Sequence, residues 1–241
     1  MVDWLSKLDK KLLKIVSVSG QIAAQLGFKA YLVGGPVRDL MLKRTHTDMD
    51  ITVEGNGIRV AEKFAAQYPD ARIERYLAFK TATVYLSDRT VVDFATARKE
   101  TYKKGGAFPK VEASHIKDDL SRRDFTINAM AIAIDPAQWG NIVDPFKGRE
   151  DLRLKRIRVL HEKSFLDDPT RIVRAARFKT RFNFSLERKT MKILKEAISV
   201  GALETIKPQR YMKEFNKILK EPRSQEAIQC LEFWDALKGG Q

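Results

Sequence analysis

The stretch YLVGGPVRDLMLKRTHTDMDITV, residues 31–53, limits what this chain can fold into more than any other feature. Its apolar start (Tyr31, Leu32, Val33) has the character of a strand and stops at Gly34 and Gly35, where the backbone can turn as only glycine does. Pro36 suits the first turn of a helix, and residues 37–42 can supply that helix. After a polar turn at 44–47, Asp48, Met49, Asp50, Ile51, Thr52 and Val53 alternate like a second strand. Period two puts Asp48 and Asp50 on one face and Met49 and Ile51 on the other. Two carboxylates side by side repel each other unless a cation lies between them. Two-metal phosphoryl-transfer sites use that arrangement to hold divalent ions, Mg2+ above all, against substrate phosphates. A glycine turn leading into a helix complements it, because bare amides suit a triphosphate. Alone, the D-x-D pair is a weak signal that reads first as the solvated face of an edge strand; the Gly-Gly-x-x-Arg-Asp run just upstream raises the metal reading.

At 241 residues and 44% hydrophobic composition, the chain can bury a core as one large domain or two small ones. A formal charge of +14 favours a polyanionic partner, nucleic acid first and a membrane surface second. One cysteine, Cys230, excludes an internal disulfide framework and a cysteine-rich zinc site. His46, His115 and His161 are scattered and read as surface or packing residues. The N-terminus has no uninterrupted apolar segment and no stretch is long enough to span a bilayer, so a soluble, cytoplasmic setting with no membrane partner is expected.

Residues 3–26 carry helical spacing, with Leu5, Leu8, Leu12, Leu13, Ile15 and Val16 as the stripe, and are expected to pack on the sheet that follows. A helix over 58–67 and strands over 72–76, 81–86 and 90–95 come next. Asp93 is a carboxylate in an otherwise apolar strand; unpaired burial would be costly, so it should face a charge or the metal site, or else stand at the strand end in water. Residues 98–112 combine glycines, a proline and charges without a period and read as a mobile basic loop. A helix begins near 114–119, and the run SRRDFTINAMAIAI follows at 121–134. There Arg122 and Arg123 offer guanidinium donors suited to triphosphate, and Asp124 can accept from ribose hydroxyls, although RRD taken alone is common and usually a solvated helix end.

GGPVRD followed by DMD resembles the first motif of the class II tRNA nucleotidyltransferase and bacterial poly(A) polymerase family. RRDFTINAMA matches that family's second motif almost letter for letter, and NIVDPFKGREDL, at 141–152, resembles the third. In the third, Asp144 and Asp151 are expected to cap helix termini. FLDDPTRIVRAARF, at 165–178, resembles the fourth motif, usually Glu-Asp-x-x-Arg and here Asp167-Asp168-x-x-Arg171. Pro169 suits a first helical turn with Asp168 as its cap, and without the other motifs the run would read as an ordinary capped, basic helix. IKPQRYMKEFNKIL, at 206–219, resembles the fifth, where Arg210 and Glu214 at i, i+4 read as a stabilising pair or a functional contact.

The resemblance implies an α+β, polymerase-β-like nucleotidyltransferase head over residues 1–140, a small mixed sheet with helices. An all-helical neck that recognises the nucleotide would follow over 141–241. It implies template-independent transfer of CMP or AMP from CTP or ATP to the 3′ end of tRNA, with release of pyrophosphate. Asp48 and Asp50 would hold two Mg2+ ions, with Asp93 as the third acidic residue. Gly34, Gly35, Arg38, Arg123, Asp124, Asp168, Arg171, Arg174 and Arg177 would bind the NTP. Within that frame Asp168 and Arg171 can present an acceptor and a donor together. Cytosine and adenine each offer an exocyclic amine beside a ring-nitrogen acceptor, whereas guanine and uracil present the reverse order. Poly(A) addition to other RNA ends is the rival activity, and an RNA-binding module without catalysis the reading of another class. Family members carry further C-terminal helical segments that grip tRNA. Little follows the neck here, which leaves a truncated chain, a compact member, or one that works with a further RNA-binding region or subunit.

Overall fold

The computed structural model describes residues 3–44, 48–101 and 110–237. The chain folds as two compact units. Among the described residues, the first comprises 3–44, 48–100, 111–123 and 127–149, and the second 101, 110, 124–126 and 150–237.

In the first unit, helix α1 (Lys10–Gln25) starts where the Asp9 carboxylate accepts from the Leu12 amide at 2.8 Å, a cap that separates it from a short 3-10 turn at Leu5–Lys7. The apolar stripe at the N-terminus is therefore a turn and a helix, not one element. Strand β1 (Lys29–Val33) leads into α2 (Gly35–Met41), and β2 (Asp48–Glu54) into α3 (Gly57–Ala65). Strands β3 (Arg72–Tyr76), β4 (Thr81–Tyr85) and β5 (Val91–Thr96) follow as expected. Then come β6 (Arg98–Thr101), β7 (Lys110–Ala113), helix α4 (Ile116–Ser121) and strands β8 (Ala131–Ala133) and β9 (Ile142–Val143).

Seven strands make one sheet in the order β3-β4-β5-β2-β1-β8-β9, in which β2 and β5 are parallel and the other neighbours antiparallel. One face is apolar: Met49, Ile51 and Val53 of β2 and Val92 and Phe94 of β5 are all buried. Phe94 packs on Phe64 of α3 with ring centroids 5.3 Å apart. Gly57 lets α3 approach this closely, since a Cβ there would lie 2.7 Å from the backbone of Ala95 and Thr96.

β6 and β7 pair as a separate two-stranded sheet, with Lys99 bridging Glu112 at 2.9 Å. The reading of 98–112 as aperiodic loop is corrected at both ends. Four-residue strands in a ladder of two are too short to show a period. Residues 102–109, the centre of that stretch, lie outside the described residues.

Helix α5 (Gly148–Arg153) spans the division between the units. Asp144 caps its start, accepting from the amides of Gly148 and Arg149 at 2.6 and 3.0 Å. The second unit continues with β10 (Arg156–Ile157), α6 (Ser164–Asp167), α7 (Thr170–Phe182), β11 (Ser185–Leu186), α8 (Arg188–Ser199), α9 (Pro208–Leu219) and α10 (Ser224–Phe233). α7 is central, with Ile172, Val173, Ala175, Ala176 and Phe178 buried on it and both α9 and α10 packed against it. Phe125 meets Phe178 edge-on at 5.9 Å.

Asp151 is no helix cap. It is fully buried and accepts from Thr126 Oγ1 at 2.7 Å, Arg156 Nε at 3.1 Å and Arg158 Nε at 2.8 Å. Removing the carboxylate takes an acceptor from each of these three buried or half-buried donors. Asp151→Ala is expected to cost about 3 kcal/mol of stability in chemical denaturation, and Asp151→Asn less, since one acceptor survives. An unchanged midpoint in the Ala variant would mean that water replaces the carboxylate without loss.

Candidate active site

The polar face of the sheet carries the carboxylates. In the parallel β2–β5 ladder Asp50 lies level with Asp93 and Asp48 with Val91, so Asp48, Asp50 and Asp93 share one face. Asp48 and Asp93 are exposed and Asp50 is half-buried. Asp93 accepts from the Thr83 hydroxyl across β4. Burial first, and then the charges of Asp93 and Asp48, push the Asp50 carboxyl up to about 6, against the pull of Arg123 and Arg38. Desolvation and Asp48 likewise raise Asp93, against the Thr83 hydrogen bond. The three acids therefore disfavour one another's charge, and a divalent cation would relieve that repulsion.

Carboxylate oxygens are the hard donors that Mg2+ prefers. Among the described residues, however, no three of His, Cys, Asp and Glu are grouped to close a metal cage. The donor set suits an ion that keeps waters and takes substrate phosphates as its remaining ligands, the usual habit of Mg2+.

β1 runs antiparallel to β2 with Leu32 opposite Ile51, a register that brings the Gly34 turn to the aspartate end of β2. Gly34 has φ +71°, the region that favours glycine, and a Cβ there would stand 2.5 Å from a terminal nitrogen of Arg123. Arg123 is held by Asp119, whose carboxylate also takes Arg122 Nη2 at 2.7 Å. Burial works against the Asp119 charge, but Arg123 and Arg122 outweigh it and hold that carboxyl below its ordinary range. The Nε of Arg123 is buried without a hydrogen-bond partner among the described residues. Arg38, on α2, spends its guanidinium differently: Nε and Nη2 grip Asp39 at 2.9 and 3.0 Å, and Nη1 donates to Asn128.

In the second unit, Asp124 accepts from Arg174 Nε at 2.8 Å, and Glu214 of α9 lies 3.4 Å from Arg174 Nη1. Burial disfavours the Arg174 charge, yet Asp124 and Glu214 more than compensate and raise its pKa. Arg177 is pulled the other way, by burial and then by Arg174, and is steadied by Glu214, Glu221 and the Phe178 ring at 4.6 Å.

Asp168 stands just ahead of α7 and takes the Thr170 amide at 3.2 Å; Pro169, not Asp168, occupies the cap position. The same Asp168 oxygen accepts from Arg210 Nη2 at 3.0 Å, while the buried Arg171 donates to Ser164 Oγ at 2.6 Å. Arg210 and Glu214 thus turn to Asp168 and Arg174. Helical spacing offers Arg210 only an i, i+4 partner, and nothing in the local pattern marks Asp119, Ser164 or Glu221. The 42-residue separation of Asp168 and Arg210 has no periodic signature.

A family model described as the poly A polymerase head domain matches residues 30–158, and one described as "Probable RNA and SrmB- binding site of polymerase A" matches 183–237. The chain belongs to the poly A polymerase head-domain family, as the glycine turn and paired aspartates predict, and family members are nucleotidyltransferases that generally use divalent metal ions. Among its relatives is the A-adding tRNA nucleotidyltransferase of Aquifex aeolicus, 43% identical over 87% of this chain and 25% of that protein. The enzyme of the same name from Halalkalibacterium halodurans is 38% identical over 94% of this chain and 54% of the relative. The fold matches a Thermotoga maritima CCA-adding enzyme complexed with tRNA, with a TM-score of 0.85 at 39% identity, over 97% of this chain and 53% of the other. A CCA-adding enzyme complexed with CTP gives a TM-score of 0.85 at 37% identity, over 96% and 53%. The chain spans about a quarter to a half of the length of these proteins. Among the described residues, no helix is long and apolar enough to cross a membrane.

Proposed function

We propose that this chain transfers CMP or AMP from CTP or ATP to the 3′ end of tRNA, releasing pyrophosphate. The observation that carries the reading is the row of Asp48, Asp50 and Asp93 on one sheet face, with Arg123 against the Gly34 turn at the aspartate end of β2. Residues 1–140 act as the catalytic head and 141–241 as the helical, nucleotide-recognising neck. Asp48 and Asp50, with Asp93, would hold two Mg2+ ions, which when bound acidify the RNA 3′-hydroxyl and neutralise the triphosphate. The turn amides at Gly34 and Gly35 and the Arg123 guanidinium bind phosphate oxygens; Arg38 adds its charge from within α2. Asp124 orients the ribose and is itself held by Arg174. Asp168 and Arg171 read the pairing edge of the base, and Arg174 and Arg177 supply positive charge to the nucleotide. As the 3′-hydroxyl gives its proton to solvent water, its oxygen bonds to the α-phosphorus and pyrophosphate leaves with the electrons of the broken bond.

The relatives named A-adding, and the structures holding CTP or tRNA, support this choice over poly(A) addition. A binding module without catalysis has no need of Asp48 and Asp50. A cytoplasmic setting goes with tRNA 3′-end synthesis. The test is purified protein with Mg2+, each NTP singly, and tRNAs ending before the first C, the second C or the final A. Incorporation of CTP or ATP, and of no other nucleotide, on at least one of these tRNAs is expected. Long homopolymer tails on unrelated RNA would favour the poly(A) reading, and no incorporation at all would overturn the enzyme.

A further inference from the structure

We infer that the outer strands of the sheet, β3 and β4, carry a subsite for the single-stranded 3′-terminal nucleotides of the acceptor RNA. It is built from Arg72, Tyr76 and Tyr85 around Glu74. The inference rests on the nucleotidyl-transfer reading above.

Strand register supplies the first step. Glu74 is level with Thr83, Thr83 with Asp93, and Asp93 with Asp50. A single row therefore crosses four strands on one face, from the edge of the sheet to the aspartates. Two residues either way along β3 place Arg72 and Tyr76 on that same face, and Arg72 pairs across the ladder with Tyr85. Arg75 takes the opposite face, where it meets Glu62 at 2.7 Å.

The chemistry of the reaction supplies direction. In-line displacement requires the attacking oxygen and the departing pyrophosphate to lie on opposite sides of the α-phosphorus. The phosphate-binding groups, Gly34 and Arg123, belong to the β1 side of β2. The acceptor must then approach over β5, β4 and β3. Asp93 lies on that side, and beyond it the row runs on through Thr83 to Glu74.

What stands there suits a single RNA strand. Tyr76 is 44% exposed, and the Arg72 side chain 72% exposed. The Arg72 guanidinium lies 5.2 Å from the centre of the Tyr85 ring. Glu74 fixes the group, accepting from Tyr76 Oη at 2.8 Å, from Tyr85 Oη at 3.1 Å and from Arg72. These hydrogen bonds, Tyr76 first, hold the Glu74 carboxyl below its ordinary range, so its charge is matched on the spot. An exposed aromatic face beside a guanidinium is the recurring means of holding unpaired nucleotides: the ring stacks on a base and the cation takes a phosphate. Leu77 and Phe79, also exposed, continue the apolar edge past Tyr76. Folding alone would not require Arg72, Glu74 and Tyr76 of the edge strand and Tyr85 of β4 to be hydrogen-bonded together on the open face.

The test uses the whole chain and a short RNA hairpin with a single-stranded 3′ tail. Tyr76→Ala is expected to raise KM for that acceptor about ten-fold, the scale of one lost base–aromatic stack, with KM for NTP and the choice of nucleotide unmoved. Tyr76→Phe should recover most of the loss, since it keeps the ring. Arg72→Ala should raise acceptor KM and weaken its dependence on salt. Both positions are exposed, so melting temperatures should hold. An acceptor KM unchanged in both Ala variants, or a change confined to the NTP, would overturn the subsite. A second readout separates this inference from the activity on which it rests. With 4-thiouridine at the penultimate position of the hairpin, irradiation should link RNA to the peptide containing residues 72–85. If wild-type protein incorporates nothing, the transfer reading fails while the crosslink still decides the subsite, and a link elsewhere in the chain overturns it.

Discussion

Asp50→Asn is expected to lower turnover by roughly a thousand-fold or more, because clamping the metal supplies several kcal/mol of transition-state stabilisation. The structure adds a second, independent signature. Asp50 shares its face with Asp48 and Asp93, and the three charges oppose one another. A neutral side chain of the same shape removes that repulsion, so without divalent cations the variant should melt at or above the wild-type temperature. Added Mg2+ should raise the wild-type melting temperature, since it binds only the folded pair, and should raise that of the variant much less. Asp48→Asn should behave in the same way. A residue that merely faced water would give near-wild-type turnover and no difference in the metal-induced shift. Loss of turnover together with a large fall in melting temperature would point instead to a structural role for the carboxylate.

The features that could be read from sequence are those whose signal is local. Strand alternation over 48–53 puts both aspartates on one face, and the register of β2 agrees with that placement. Gly34 announces its turn because no other residue takes that backbone so readily. The strands over 72–96 show themselves by turn residues at Ser87, Asp88 and Arg89. What escaped was decided by partners distant in the chain. Asp151, next to a helix start, looks like a cap, yet its three donors come from both sides of it and bury it completely. Arg210 and Glu214 show helical spacing and would satisfy each other, but Asp168 takes Arg210, and Glu214 is shared between Lys217, one turn on, and the distant Arg174. β6 and β7 carry too few residues to show a period. Asp119 and Ser164, which hold Arg123 and Arg171, lie outside every motif, and Glu214 beside Arg174 shows only its helical spacing from Arg210. Each is placed by packing.

The remaining large effect concerns base choice. Arg171→Ala should relax discrimination against GTP and UTP by roughly ten-fold or more while lowering activity with the accepted nucleotide. A site that hydrogen-bonds one base order leaves buried polar groups unpaired when the reverse order enters, and such rejection reaches about 10^4-fold. The structure refines how the pair is held. Arg171 is buried and donates to Ser164 Oγ, and Asp168 is fixed from two sides by Thr170 and Arg210. Ser164→Ala and Arg210→Ala remove these supports without touching the pair, so each should loosen selectivity by a smaller factor than Arg171→Ala. Asp168→Asn tests the other half, because it substitutes a donor for one acceptor oxygen at the same position. Incorporation of all four nucleotides by wild type and the four variants, with melting temperatures beside them, separates the two roles of Arg171. If the arginine only stabilised α7, the variants would melt lower and keep the selectivity ratio. Wild-type protein that used UTP as readily as CTP would remove base reading from Asp168 and Arg171, while leaving the paired aspartates and the family untouched.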